Sequence, residues 1–421
     1  MAAIQLRNRR ALRLREVDAA PVSVRPLPWK TAGMDAPARD HDLVLFGATG
    51  FVGELIAGYL ADHAPRDLRV GLAGRSKEKL EAVRSRLPAA ASDWALIEAD
   101  SEHPPTLAAL AAGTRVLFST VGPYATYGLP VVEACARAGT HYGDLTGEVS
   151  FVREAIDRFD ALARNTGARI VHACGYDSVP SDLAVLLLHQ AAEADDAGGL
   201  TEVQLVATAK GGFSGGTIES MRGQLDGTRS DPVLRALAGD PYSLGPDRAA
   251  EPSTRQPSDM GWVGRSEDGL WTAPFIMASV NTRIVRRSNA LQGWAYGRSL
   301  RYGEVMGTRR GPAGALLAGA MALGLRVFGA AMAFPPTRKL LDRALPAPGA
   351  GPTEAARNAG WFRSQVTAST ESGRRYRAVA AGRSRLRCHR RHGRGGSALL
   401  RAGRRPSATH RRIADPCDRS G

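Results

Sequence analysis

The sequence predicts an α/β protein in which a Rossmann-type doubly wound parallel sheet is followed by an α+β domain with a mainly antiparallel sheet. Three observations carry that prediction. Short apolar runs alternate with helical stretches from residue 42 to about 175, the pattern of βαβ units. A glycine-rich turn, Gly47-Ala48-Thr49-Gly50-Phe51-Val52-Gly53, joins the first apolar run to the first helix. Beyond about residue 200 the pattern changes to strand-like alternation with turn-rich connections.

Taken in order, strands are expected at 42–47, 69–74, 94–99, 115–121, 141–145 and 168–173, and helices at 51–63, 76–87, 104–112, 128–138 and 149–166. Ser76, followed by Glu78 and by Leu80, Val83 and Leu87, reads as a helix start with a buried stripe. A helix at 179–193 leads to a strand at 202–210, a turn-rich stretch at 228–268, and strands at 272–287 and 296–305. Residues 313–335 are apolar except for Arg326 and read as a helix buried in the fold or lying at its surface, with a membrane-surface contact as the second reading. A span is disfavoured by Arg326 near the middle, because a charge in lipid is costly. The expected division is an extension at 1–40, a dinucleotide-binding domain at 41–180, a substrate or dimerisation domain at 181–382, and a tail at 383–421.

The net charge of +15 suggests a nucleic-acid partner until it is divided along the chain. Residues 1–33 carry +5 and residues 383–421 carry +10, so the body between them is neutral and a nucleic-acid-binding reading loses its support. Of four cysteines only Cys135 and Cys174 lie in that body, without the spacing of a metal site or a disulfide framework. No secretory-type apolar run opens the chain, so the cytoplasm is the expected compartment.

The glycine spacing carries the chemistry. Gly47 permits a tight turn, Gly50 lets backbone approach a pyrophosphate, and Gly53 lets the helix pack on the sheet, while Thr49, Phe51 and Val52 complete the phosphate loop at the helix N-terminus. At the end of the second strand, where NAD sites place an acid for the ribose hydroxyl, this chain has Gly74-Arg75-Ser76-Lys77. Arg75 and Ser76 suit a 2′-phosphate, so NADP(H) is the expected cofactor. Asp100 is placed either to cap the adenine amino group or to form a turn, and Thr120-Val121-Gly122-Pro123 to pass the nicotinamide-side ribose. No Tyr-x-x-x-Lys pair occurs, which removes the acid/base device of short-chain dehydrogenases.

Seven ordered blocks between about 41 and 382 carry a resemblance: GATGFVG, LAGRS, STVGPYATYGLPVVEACARAGTHYGDLTGE, HACGYDSVPSDLA, SGGTIES, APFIMASVNTRIVRRSNAL and GPTEAARNAGWF. Together they resemble the saccharopine dehydrogenase-like oxidoreductases, in the branch of the mycobacterial trans-acting enoyl reductases. The resemblance implies an NADPH-dependent reductase of an α,β-unsaturated acyl chain held by a polyketide synthase or acyl carrier protein. It points to Tyr124, Tyr127, Asp144, Glu148, Tyr176, Asp177 and Ser178 as candidates for catalysis, all expected beyond carboxyl ends of strands; turn formation is the plainer alternative for each. Homodimerisation and a lipid contact through 313–335 are also expected, and no metal is.

Two rivals stand beside this reading. A saccharopine- or imine-type reductase would use Arg283, Arg286 and Arg287 to hold carboxylates, although that spacing more often marks a solvated face. A non-catalytic NADP(H)-binding or lipid-associated protein is the alternative from another class. The resemblance also implies a buried helix after Gly382, where Arg383 instead begins an Arg-rich run. Codons for residues 383–393, read one nucleotide later, can encode GPGYAATAVMV, and those for RIADPCDR an LLTPATA-like run, which makes a frameshift near residue 382 the expected cause. The first 33 residues are expected to be an upstream-start artefact or a disordered tail.

Overall fold

The computed structural model describes residues 14–16, 39–210, 215–341, 351–383 and 399–400. The expectations for the N-terminal extension and the Arg-rich tail therefore fall almost wholly outside the described residues. Leu14–Glu16 form a short strand, β1, on the edge of the second of two sheets.

The first sheet has six strands, all parallel: β2 (His41–Phe46), β3 (Val70–Gly74), β4 (Ala95–Glu98), β5 (Thr114–Ser119), β6 (His141–Asp144) and β7 (Ile170–Val171). Their order is β4-β3-β2-β5-β6-β7, so the chain reverses its direction of travel across the sheet between β2 and β5. That switch point opens a crevice at the carboxyl ends of the two strands. The crossovers are α1 (Phe51–His63), α2 (Lys77–Arg86), α3 (Pro104–Ala112), α4 (Tyr124–Ala138) and α5 (Val149–Thr166). Val44, Leu45, Phe46, Leu72, Ala73 and Leu117 are buried on the central strands, as expected where helices cover both faces. The predicted strand at 168–173 shrinks to two residues, because beyond Val171 the chain turns away into the second half of the molecule.

That half begins with α6 (Val179–Ala194) and β8 (Leu200–Lys210), followed by α7 (Gly215–Ser230), α8 (Pro232–Gly239), β9 (Gly264–Arg265), β10 (Trp271–Pro274) and α9 (Ala278–Leu291). Then come β11 (Arg301–Gly307), α10 (Gly311–Ala333), α11 (Pro335–Leu341), α12 (Glu354–Asn358), β12 (Trp361–Thr370), β13 (Arg375–Arg383) and β14 (Leu399–Leu400). The main path of the second sheet is β1-β13-β12-β8-β11-β10-β9, with β14 beside β13. It is mixed and mainly antiparallel: β8 pairs parallel with β11 and antiparallel with β12. Leu188, Leu205, Val285, Tyr302, Val366 and Tyr376 form its core beneath α6 and α9.

The sequence reading fails most clearly at 272–287. The strand there stops at Pro274 and α9 follows, burying Ala278, Asn281, Thr282, Val285, Arg286 and Asn289 at helical spacing. Val280, Thr282, Ile284 and Val285 give the segment a strand-like composition, and packing overrides it.

One buried network of four side chains joins the two halves. Ser178 Oγ donates to Asn281 Oδ1 (2.8 Å), and Asn281 Nδ2 donates to the Asp177 carbonyl (2.7 Å) and to Glu304 (2.9 Å). Tyr302 Oη donates to the other Glu304 oxygen at 2.7 Å. Burial pushes the Glu304 carboxyl above its ordinary value, against the pull of these donors.

Asn281→Asp places a second carboxyl on Glu304. Both folded-state pKa values then lie above the unfolded ones, so the folded state holds extra protons and its stability falls as pH rises through those raised values. Urea unfolding is expected to show a loss of about 2–4 kcal/mol near neutral pH and a smaller loss under mildly acidic conditions.

Candidate functional site

The glycine turn occupies the switch-point crevice. Gly47 has φ +88°, a left-handed conformation that favours glycine, and a Cβ there would fall 2.7 Å from Thr120 Oγ1 and 2.9 Å from Val121. Thr120 Oγ1 donates to the carbonyls of Gly47 (3.0 Å) and Phe46 (3.2 Å). The two predicted loops, Gly47–Gly53 and Thr120–Pro123, are thereby held together across the switch point. A Cβ on Gly53 would collide with the Gly47 carbonyl, so only glycine lets α1 approach this closely. Above Gly50 there is room: a Cβ there would meet only the Gly47 carbonyl, at 3.4 Å.

The start of α1 is suited to an anion. Gly50 provides no side-chain cap, and the first backbone bond is Glu54 N–H to Gly50. The N–H groups of Phe51, Val52 and Gly53 are thus left for a ligand at the positive end of the helix dipole. Arg75 follows β3 directly, is exposed, and has no ion-pair partner among the described residues. Ser76 caps α2, accepting from Lys79 N–H at 3.2 Å, and its hydroxyl proton stays available. Thr49 lies close to Gly74, on the same side of the crevice as Arg75. Asp100 accepts from Glu102 N–H at 3.1 Å, so the turn role weighed for it is present. A pyrophosphate over Gly50 and a 2′-phosphate beside Arg75 fit these residues.

The catalytic candidates divide into two groups. Asp144 is fully buried, its Oδ1 accepting from the N–H groups of Thr146 and Ala173 (both 3.0 Å) while its Oδ2 lies 2.7 Å from His172 Nδ1. Glu148 accepts from Tyr124 N–H (3.0 Å), Ala125 N–H (2.8 Å) and Ser220 Oγ (2.7 Å), capping α4 from a distance and reaching α7 in the second half. Tyr124 Oη donates to the Ser119 carbonyl (3.1 Å) and accepts from Leu145 N–H (3.3 Å). Burial raises that phenol's pKa well above the ordinary range. Ser178 belongs to the Asn281 network. These four have their polar atoms engaged in positioning the loops.

Tyr127, Tyr176 and Asp177 form the other group. The hydroxyls of Tyr127, on the first turn of α4, and of half-exposed Tyr176 have no hydrogen-bond partner among the described residues. The Tyr176 ring stacks obliquely on Phe362 of β12, with centroids 4.4 Å apart, which places it where the two halves meet. Protein atoms around Tyr176 displace water and, with the charge of Asp177, hold its pKa above that of a free phenol. The same desolvation raises Asp177, although its side chain still reaches the surface. Sequence reasoning missed Ser220, His172 and Phe362, which enter through partners distant in the chain.

A cavity of about 330 Å³ lies along β7 between α5, α6 and α9, lined by Val171, Cys174, Val179, Leu183 and Leu291 among others. None of its lining residues belongs to the glycine turn or the β5–α4 loop, so it is separate from the cofactor crevice.

The arginines proposed to hold carboxylates face inward. Arg283 pairs with Asp259 at 2.8 Å and donates to the Ala238 carbonyl; Arg286 donates to the carbonyls of Pro241 and Tyr302, and Arg287 to that of Leu244. They form neither a solvated face nor a free anion-binding cluster.

Residues 43–171 match the saccharopine dehydrogenase NADP binding domain. Over 359 residues, 83% of this chain and 85% of the other, the sequence is 50% identical to a Mycobacterium tuberculosis protein provisionally named a trans-acting enoyl reductase. It is 44% identical over 363 residues to the trans-acting enoyl reductase of Mycobacterium bovis and 43% identical over 360 residues to that of Mycobacterium ulcerans, with the same coverage. The domain match agrees with the glycine turn and Arg75: the crevice is an NADP(H) site.

Arg75→Ala is expected to weaken NADPH roughly 10- to 100-fold while changing NADH little, the loss of a charge-assisted contact to the 2′-phosphate. Fluorescence titration of both nucleotides checks this, and equal losses would remove Arg75 from the phosphate site.

Proposed function

The chain belongs to the trans-acting enoyl reductase family, and from that premise we propose that it reduces an α,β-unsaturated acyl thioester, carried by a polyketide synthase or acyl carrier protein in complex-lipid synthesis, with NADPH as reductant. That it is an oxidoreductase follows from the family and from its NADP-binding domain.

The observation that carries the finer reading is the division of polar groups at the strand ends. When bound in the Gly47–Gly53 crevice, NADPH would supply a hydride for the β-carbon, and the electron pair of the double bond would move toward the thioester oxygen. The protein must then stabilise that oxygen and deliver a proton to the α-carbon. Of the residues around the crevice, Tyr127 and Tyr176 have hydroxyls that are not engaged elsewhere. Like any phenol, Tyr176 carries its proton at neutral pH, and its half-exposed position lets solvent return that proton after transfer. Tyr176 is therefore assigned the proton donor, and Tyr127 the hydrogen bond to the thioester oxygen. Asp144 and Glu148 act indirectly, by fixing the loop that carries Tyr176 and the start of α4 that carries Tyr127.

The inward-facing Arg283, Arg286 and Arg287 disfavour an amino-acid-like substrate, whose carboxylates would require free guanidinium groups. Near Gly147 the neighbours are apolar: Met277 and Val280, both from α9 or the residue before it, come within van der Waals range of a Cβ built there. Such walls suit an acyl chain.

NADPH consumption, followed by its near-ultraviolet absorbance, is expected with enoyl thioesters and not with imines or buffer. Tyr176→Phe should lower kcat by about 100-fold and leave NADPH affinity unchanged. An unchanged kcat in that variant would exclude Tyr176 as donor. Tight NADPH binding without oxidation by any enoyl thioester would favour the non-catalytic NADP(H)-binding role instead.

A further inference from the structure

The outer face of α10 is an exposed apolar surface that the reductase reading leaves unexplained. The most apolar 18-residue stretch of Gly311–Met332 has a mean hydropathy of 1.7, yet only 17% of that stretch is buried. The helix rests on β10, α7 and α11. Its inner stripe is made of small or flexible residues: Gly314, Ala318, Ala322 and Met332 are buried, and a Cβ on Gly314 would collide with the Arg309 carbonyl. Four large side chains point outward. Leu316 is 77% exposed, Leu323 and Val327 57% each, and Phe334 59%. Pro312, Ala313, Leu317, Ala320, Gly324 and Ala330 complete an outer stripe that contains no charged residue. For a protein surface a continuous apolar stripe of this length marks an interaction site.

Charge selects the occupant. Arg309 and Arg310 are exposed before the helix and Lys339 after it, and no acid occurs between Gly311 and Phe334. Arg326, the charge within the helix, is drawn aside: its guanidinium stacks 3.7 Å from the Trp262 ring centroid and donates to the Met260 carbonyl at 3.1 Å. Trp262 is itself 66% exposed and Met260 42%, so they extend the apolar surface sideways. A second copy docked through α10 would bring basic ends against basic ends in either orientation. An anionic lipid surface satisfies both ends and takes the apolar stripe between them.

We infer that α10 lies flat in the interface of an anionic membrane, with Leu316, Leu323, Val327 and Phe334 in the acyl boundary and Arg309, Arg310 and Lys339 among the headgroups. The inner stripe stays on the protein, so the helix lies on the membrane and does not cross it. The inference is independent of the reductase assignment, since none of these residues touches the cofactor crevice.

Flotation of the full chain with vesicles tests it. Binding is expected to vesicles of phosphatidylglycerol and phosphatidylethanolamine, to weaken with salt, and to be much poorer to phosphatidylcholine alone. Leu323→Glu/Val327→Glu should reduce the bound fraction by about tenfold or more while leaving NADPH affinity unchanged. Leu316→Glu, at a more exposed position, repeats the test should the double variant fold poorly. Absence of flotation with anionic vesicles overturns the inference, as does flotation undiminished in both variants. So does a wild-type dimer without vesicle binding that these substitutions convert to monomer, which would assign the face to a second copy.

Discussion

The arrangement of the site depends on one buried carboxylate. Asp144 ends β6 and is closed off from solvent, and three donors converge on it: the N–H groups of Thr146 and Ala173 and the imidazole of His172. Two segments 28 residues apart are thereby fixed to one point, since Thr146 opens the loop to Glu148 and Ala173 opens the loop to Tyr176. Ala173 takes a positive φ of 56°, uncommon for a residue with a Cβ, and the bond to Asp144 helps hold it there. His172, oriented by the same carboxylate, meets Tyr142 and Phe151 edge-on and so ties the loop to the helix layer. Removing the carboxylate would release both loops and leave buried N–H groups unsatisfied, which is costlier than losing an exposed bond.

Glu148 performs a related task between the two halves. A helix start needs acceptors for its first N–H groups, and at α4 the residue at the cap is Pro123, which has no side-chain acceptor. Glu148 supplies both oxygens from the next loop, and Ser220 of α7 adds a donor from the second half. The Ser178–Asn281–Glu304 network and Arg153 of α5, which donates to the carbonyls of Ser243 and Gly245, add further polar connections between the two halves. Buried hydrogen bonds fix the strand-end segments, and the phenols of Tyr127, on the first turn of α4, and of Tyr176, on the loop after β7, project from segments that those bonds hold in place.

Much of the nucleotide half was legible in the sequence because its determinants are local. The glycine turn is dictated by backbone clearance at Gly47 and Gly53, and α2 by the Ser76 cap. Arg75 could be read because the end of the second strand is a fixed position relative to the turn. Asp144 and Glu148 could be selected as important but not assigned: their donors come from positions 28 and 72 residues away, and no spacing in the sequence encodes those meetings. The same limit hid the fate of Arg283 and Arg286, whose acceptors include Asp259 and carbonyls on the 238–241 segment and on β11. At α9, β-branched residues favoured a strand locally, and the tertiary requirement to bury Asn281 and Arg286 on one face prevailed.

The apolar helix α10 shows a different limit. Hydrophobic periodicity fixes which face of a helix is buried only when the other face is polar. Between Gly311 and Phe334 Arg326 alone is charged, so the sequence gives the helix but not its rotation about its axis. The structure supplies the rotation through size: small residues at 314, 318 and 322 let the helix approach the second sheet closely, and Leu316, Leu323, Val327 and Phe334 are left outside. A soluble helix usually gains stability by burying its largest side chains, at roughly 1.5–3 kcal/mol each. Here close approach of the backbone has taken precedence, as it does where helices pack in lipid through small residues. The inversion makes sense if the outer side chains are buried elsewhere, in a medium that the folded chain itself does not provide.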